Sequence, residues 1–395
     1  MKETKFKQSE LGLIPESWRV ESFQDIASIK TGPFGSALHA EDYVQRGTPI
    51  ITVEHLGSPF IIHSKSIPQV SDKDLKRLSA YTLKAGDIVY SRVGSVDRNS
   101  VVRSEEDGWM FSGRLLRVRS IQDYDPSYMG YHLNGINSRK RIISAAVGLG
   151  MPSINTKILG KHLVLLPANL DEQHNIASAL SDIDSLISQL EVLIEKKEAI
   201  FKGTMQDLLS GKRLLPGFND EWQNRTVKEV CQVKRGKRVT RAELNSHGKY
   251  PVFQNTNYPM GYYDIFNVEA GSPFVIIGGS AGLIGYSSGP FWAADDCAFF
   301  SKKESIHFKY LYYVLMYKHK DILKNVKTAS IPRLDRKVLE DMEIMIPSYE
   351  EQQAIADILS DMESEIEELK NKREKYVAIR QGMMQQLLTG KIRLI

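Results

Sequence analysis

One long segment of this chain is written twice. EQHNIASALSDIDSLISQLEVLIEKKEAIFKGTMQDLLSGK (172–212) aligns without a gap to EQQAIADILSDMESEIEELKNKREKYVAIRQGMMQQLLTGK (351–391), with 21 of 41 positions identical. A duplicated segment constrains architecture strongly, because repeated elements call for repeated neighbours. The similarity extends backwards, where Pro152 and Pro167 match Pro332 and Pro347. It also extends forwards, where LLPGFNDEW ending at Trp222 echoes LGLIPESW ending at Trp18, and Gly32 and Gly236 lie equally far beyond those tryptophans. The offset is 222 − 18 = 204 at the tryptophans but 351 − 172 = 179 at the repeats, so the first intervening block is longer by about 25 residues. The order is block, helix, block, helix.

Both repeats obey the local rules for helices. Ile176, Leu180, Ile183, Ile187, Leu190 and Ile194 recur at alternating steps of four and three, as do Ile355, Leu359, Met362, Ile366 and Leu369, with Tyr376, Met383 and Leu387 in the same register. That is the apolar seam of a coiled coil. Asn169 with Glu172, and Ser348 with Glu351, have capping-box spacing. Gly211 and Gly390 are placed to stop the helices. Gly203 and Gly382 lie at matching interior positions, which fits either a close backbone approach or a residue carried over from a duplicated ancestor. Lys197, Arg373 and Arg380 interrupt the seam. Two helices of about 40 residues, each about 60 Å long at 1.5 Å per residue, can pack antiparallel within one chain. The expected domains are a block over 1–169, a helical spacer over 170–210, a second block over 211–348 and a second spacer over 349–395.

Charge follows the same division. Lys+Arg minus Asp+Glu is 22 − 17 = +5 for residues 1–169, 3 − 8 = −5 for 170–210, 20 − 14 = +6 for 211–348 and 7 − 9 = −2 for 349–395. Basic blocks suit polyanions, and acidic segments avoid them. Two cysteines, Cys231 and Cys297, provide no disulfide framework, so a reducing cytoplasm is expected. No apolar leader and no run of about 18 apolar residues occurs, which points away from a membrane.

The blocks have α+β texture. Short β-branched and aromatic runs such as GDIVYSRVGS (86–95), MFSGRLLRVRS (110–120), SPFVIIGGSAGLIGYSSGPFWA (272–293) and DCAFFSK (296–302) read as strands. FKYLYYVLMYKHKDIL (308–323) and YMGYHLNGINSRKRII (128–143) read as helices in equivalent places. Between them lie cationic and amide-rich stretches: KTGPFGSAL (30–38), SRVGSVDRN (91–99), SRKR (138–141), KRGKRVTR (234–241), QNTN (254–257) and KTASIPR (327–333). Arg and Lys can pair with guanine or neutralise phosphate, and Asn or Gln can pair with adenine. Gly278, Gly279, Gly282 and Gly285 suit tight turns rather than a phosphate cradle. Walker-type, dinucleotide-binding, nucleophile-elbow, amino-methyltransferase and metal-ligand spacings are all missing.

With these residues in view, the layout resembles the specificity subunit of a type I restriction–modification system. The resemblance rests on IPESWRVESFQDIASIKTG (14–32) with GPFGSAL (32–38), on PSINTKILGKHLVLLPANLDEQ (152–173) and IPRLDRKVLEDMEIMIPSYEEQ (331–352), and on the endings QDLLSGK and QQLLTGK. The second block departs at its opening, where KRGKR replaces the TGPFGS type of loop. The resemblance implies two mixed α/β target-recognition domains joined by two long helices in an antiparallel coiled coil with approximate two-fold symmetry. Each domain would read one half of a split double-stranded DNA site, and the helices would set the gap. The chain itself would be non-catalytic and hold no cofactor. Two copies of a methylation subunit would carry S-adenosylmethionine, and restriction–translocase subunits would carry ATP and Mg. The residues expected to be enriched in DNA contacts are Lys30, Arg92, Arg98, Asn99, Lys234, Arg235, Lys237, Arg238, Asn255, Asn257 and Arg333. The competing readings are a structural adaptor whose coiled coil and blocks bind protein, and a nuclease or methyltransferase with an unrecognised site, which the missing motifs disfavour.

Overall fold

The computed structural model describes residues 5–395 except 34–36, 65, 149, 213, 304–305 and 329. The centre of GPFGSAL and Ala329 of KTASIPR therefore lie outside the described residues. The chain forms two compact units, one of Met1–Gln189 with Arg373–Ile395 and one of Leu190–Lys372. Each unit takes one block together with half of each long helix, so the compact bodies cut across the block-and-spacer division read from the repeat.

In the first unit, four strands form an antiparallel sheet in the order Ala27–Thr31, Leu115–Ser120, Ile88–Ser91, Asn99–Val101. A second, mixed sheet orders Met110–Phe111, Thr48–Ile51, Gln69–Val70 and Tyr43–Val44. Trp18–Ser22 pairs with Leu163–Pro167 and closes the block where its two ends meet. The second unit repeats the plan. Its main sheet runs Cys231–Arg235, Cys297–Lys302, Ser272–Ile276, Ile284–Ser287, and Gln223–Thr226 pairs with Glu343–Ile346. Its smaller sheet has three strands, Gly261–Tyr263, Tyr250–Phe253 and Trp292–Ala293. The strand texture read from sequence thus falls on strands, and Pro126–Asn134 with Ile136–Ala145 matches Phe308–Tyr317 with His319–Lys324 as helices. SRKR belongs to the helix Ile136–Ala145 rather than to a loop, and Ser138 is buried there against His162 Nε2 at 2.8 Å.

The long helices span Leu170–Leu209 and Tyr349–Leu387. Every seam position named above is buried or half-buried, while most of the charged positions between them are exposed. In the first unit Ile176 and Leu180 join Leu387 and Leu388 in one core with Trp18, Tyr128 and Tyr131. In the second, Met205 and Leu208 join Ile355 and Leu359 in a core with Tyr310 and Tyr313. The start of each helix meets the end of the other, so they run antiparallel. Fully burying one such Leu or Ile contributes about 1.5–3 kcal/mol. The cations that interrupt the seam are ion-paired: Lys197 with Glu365 at 2.7 Å, Arg380 with Asp184, and Arg373 with its neighbour Glu374.

Two local expectations change. Asn169 and Ser348 accept hydrogen bonds from Asp171 N (2.9 Å) and Glu351 N (3.4 Å), but Glu172 and Glu351 do not turn back to complete capping boxes. Their carboxylates accept from the indoles of Trp18 and Trp222, at 3.2 and 3.1 Å. The second correction concerns Gly203 and Gly382. A Cβ at either would meet nothing within 4 Å, so neither marks a close approach. Gly211 and Gly390 do end their helices in the left-handed conformation, both at φ +70°.

Candidate nucleic-acid interface

Each block is tied rigidly to its helix by matched bonds. Gln173 Nε2 donates to Pro167 O (2.8 Å) while its carbonyl accepts from Asp125 N (2.9 Å). Gln352 does the same with Pro347 O (3.0 Å) and His307 N (2.9 Å). Tyr128 and Tyr310 donate to the carbonyls of Leu165 and Met345, at 2.8 and 2.7 Å. Tyr131 and Tyr313 reach across to Asp184 and Glu363 on the long helices, at 2.8 and 2.9 Å. A surface on the block is therefore held in fixed relation to the helix it grows from.

That surface begins at Gly32 and Gly236. A Cβ on either would lie 2.1 Å from a main-chain carbonyl, Ser112 O or Ala294 O, so only glycine lets the strand pass the facing turn. The same register follows in both units, with Gly32 N donating to Leu115 O and Gly236 N to Cys297 O. The KRGKR opening of block two thus occupies the same structural place as the KTGP opening of block one.

In unit two, Lys234 and Arg235 end an edge strand, and Lys237 and Arg238 follow the glycine; all four are exposed. Lys234, Arg235, Lys237 and Arg336 line one cavity of about 470 Å³, together with Gln232 and Asn267, and no carboxylate among the described residues lines it. Arg235 is aimed by its Nε bond to Asp295 O at 2.6 Å and remains half exposed. Asn255, Asn257 and Arg333 are also exposed. Asn255 O accepts from Ser280 N at 3.2 Å, and Arg333 lies 3.8 Å from Asp296. The turn Asp295–Asp296 thus links the Arg235 side of this surface to the Arg333 side.

In unit one, Arg92 lines a cavity of about 620 Å³ with Arg114, His39, Thr52 and Glu54. Lys30 is half-buried with its ammonium 4.7 Å from the Tyr81 ring. Two sequence candidates are occupied internally. Arg98 is half-buried and donates to Leu56 O. Asn99 has no exposed surface; its amide donates to Asp97 O at 3.3 Å and accepts from Asn134 at 3.0 Å. A side chain so enclosed holds the sheet edge and cannot meet a base.

Sequence reasoning missed Arg114 and Arg336. The Ser112-Gly113 pair before Arg114, inside MFSGRLLRVRS, was the available signal. Arg336 lies three residues past the KTASIPR stretch, at the start of the short helix Arg336–Glu340. His63, Glu105 and Glu106 form the one cluster of potential metal ligands among the described residues. The buried Glu106 carboxylate there already accepts from Arg103 N (2.6 Å), the Arg103 guanidinium (2.8 Å) and His63 (2.6 Å), so the guanidinium holds the place a cation would need. Burial pushes the Cys231 thiol up to about 12 and raises that of Cys297 as well, which leaves neither poised as a nucleophile.

The family model for the type I restriction modification DNA specificity domain matches residues 15–198 and 219–376. A putative type I restriction enzyme MjaX specificity subunit from Methanocaldococcus jannaschii is 27% identical, covering 99% of this chain and 97% of that protein. The MjaVIII specificity subunit of the same organism is 25% identical with the same coverage. A crystal structure of a type I restriction–modification S subunit from M. genitalium shares the fold with a TM-score of 0.69 at 20% identity, over 97% of this chain and 98% of that one. None of the described helices is long and apolar enough to cross a membrane.

Proposed function

The chain belongs to the type I restriction–modification DNA specificity family, and from that premise we propose that it is the sequence-reading subunit of such a complex. Each block reads one half of a bipartite double-stranded site, and the paired helices fix the gap between the halves. The subunit is non-catalytic and binds no cofactor. It works in the cytoplasm, where two methylation subunits carrying S-adenosylmethionine and restriction–translocase subunits using ATP and Mg act where it directs them.

The observation that carries this reading is the groove of unit two, which four cations line, Arg235 among them with the Asp295 carboxylate 4.0 Å away. Phosphate neutralisation releases counterions, so such a groove gives DNA affinity that falls steeply with salt. Arg235 is held by a main-chain carbonyl, the restraint a base-reading guanidinium needs. The adaptor reading gives this groove no role. Titrating fluorescent duplex DNA with the chain assembled on its methylation partner, across a salt series, tests the proposal. Affinity that drops with a slope of several units in log–log form supports it; no salt-dependent affinity would return the adaptor to first place.

A further inference from the structure

Each unit carries a small hairpin that has no assigned role. In unit one Val147 and Ser153 exchange both main-chain bonds, at 3.0 and 2.8 Å; in unit two Lys327 and Arg333 do so at 2.9 and 3.0 Å. Each hairpin is clamped to the loop of the main sheet by two further bonds. Gly94 N donates to Pro152 O (2.8 Å) and Ile154 N to Arg92 O (2.9 Å); Gly279 N donates to Pro332 O (3.1 Å) and Leu334 N to Ile277 O (3.0 Å). The clamping glycines share the left-handed conformation, at φ +80° and +78°. Four equivalent bonds thus fix the same element in two blocks that otherwise diverge.

The residue held out before the proline is apolar in both hairpins. Met151 is 66% exposed and Ile331 is 54% exposed. An exposed apolar side chain beside these bonds gains by meeting a dry surface, and its neighbours say which kind. Lys327 and Arg333 flank Ile331 and are exposed, and the unit-one hairpin rests on the carbonyl of Arg92, which lines the cavity with Arg114. In unit two the apolar side chain is set among cations, and in unit one the hairpin is bonded to the segment that carries Arg92; such a surface complements duplex DNA, whose grooves offer thymine methyls and sugar faces between phosphates.

We propose that the clamped hairpin is a DNA probe in each unit, with Met151 and Ile331 making an apolar, specificity-determining contact to the half-site read by their own block. This rests on the DNA-reading function above and adds a contact that charge does not supply. The loss of one such contact should weaken binding about tenfold, without changing the salt slope, because no counterion is involved.

The test uses the full chain with its methylation partner and duplexes carrying the site mapped for the wild-type complex. In further duplexes one half-site or the other is randomised. Met151→Ser should weaken binding to the intact site but lose its effect once one particular half is randomised; Ile331→Ser should behave likewise for the other half. Met151→Leu and Ile331→Val should restore affinity, and unchanged melting temperatures show that the fold is intact. Serine variants that bind as wild type overturn the proposal. So do variants that impair assembly with the methylation subunit while the assembled complex binds DNA normally, which makes the tips protein contacts. A wild-type complex without salt-dependent DNA affinity overturns the parent function and this inference with it.

Discussion

Lys234, Arg235 and Lys237 share one groove, so their contributions to binding can be separated by what salt does to each. Replacing all three with Ala should lower the slope of log K against log salt by up to about 3, at about 0.9 per phosphate contact. If Arg235 reads a base, its single replacement costs about 1–3 kcal/mol and relaxes one position of one half-site. Unchanged slope and specificity in the triple variant would contradict the assignment. The histidines make a second prediction. Burial, then Arg141 and His162, lowers His132 to about 3; burial, then Arg141, lowers His162 to about 4. Both are neutral when folded, and His132 Nε2 accepts from Leu165 N at 3.2 Å. The unfolded chain takes up protons near 6.5 while the folded unit does not, so stability is full above that pH and declines as pH falls towards 4. Thermal melts between pH 7.5 and about 4.5 should show this loss, and His162→Gln should make it shallower. An equal pH slope in the variant would contradict it. These roles were illegible in the sequence, where the histidines could be tested only against metal spacings. Asn99 failed as a candidate for the same reason: SRVGSVDRN shows polarity, and only the fold shows which polar residues turn inward.

At the scale of elements, periodicity carried the helices and their seam, because an apolar step of three and four has few other physical meanings. The glycines divided differently. A Cβ added at Gly32 or Gly236 would lie 2.1 Å from a carbonyl oxygen, whereas one at Gly203 or Gly382 would face open space. Gly236→Ala should therefore destabilise unit two by about 1–3 kcal/mol or more through overpacking. Gly203→Ala and Gly382→Ala should each stabilise by about 1 kcal/mol, the cost of glycine in a helix interior. Denaturant midpoints of the three variants check this, and a loss of stability at Gly203 or Gly382 would revive the close approach that their matching positions suggested. The Glu172 and Glu351 carboxylates show why local signatures mislead: capping-box spacing was present, but tryptophans 154 and 129 residues away in sequence claimed both side chains.

For the whole molecule, the repeat makes the two-block plan legible in the sequence, and the two units repeat one sheet order and one set of block-to-helix bonds. What the repeat left hidden was the division of each long helix between units, because a compact body follows packing rather than sequence similarity. A ruler made of paired helices has a direct consequence. Removing one heptad from both helices keeps the seam in register and shortens the rod by about 10 Å, or about three base pairs of DNA. The same two half-sequences should then be modified across a shorter gap, or modification should cease; an unchanged gap would remove the helices from the role of spacer.

The central claim is that each block reads one half of a divided site. Co-expression of the chain with its methylation subunit in an unmethylated host, followed by genome-wide mapping of modified bases, tests it most directly. The expected result is a bipartite motif of two short specific halves around a fixed nonspecific gap, with one half relaxed when the cations of the unit-two groove are removed. A single contiguous motif, or loss of both halves together in that variant, would contradict it.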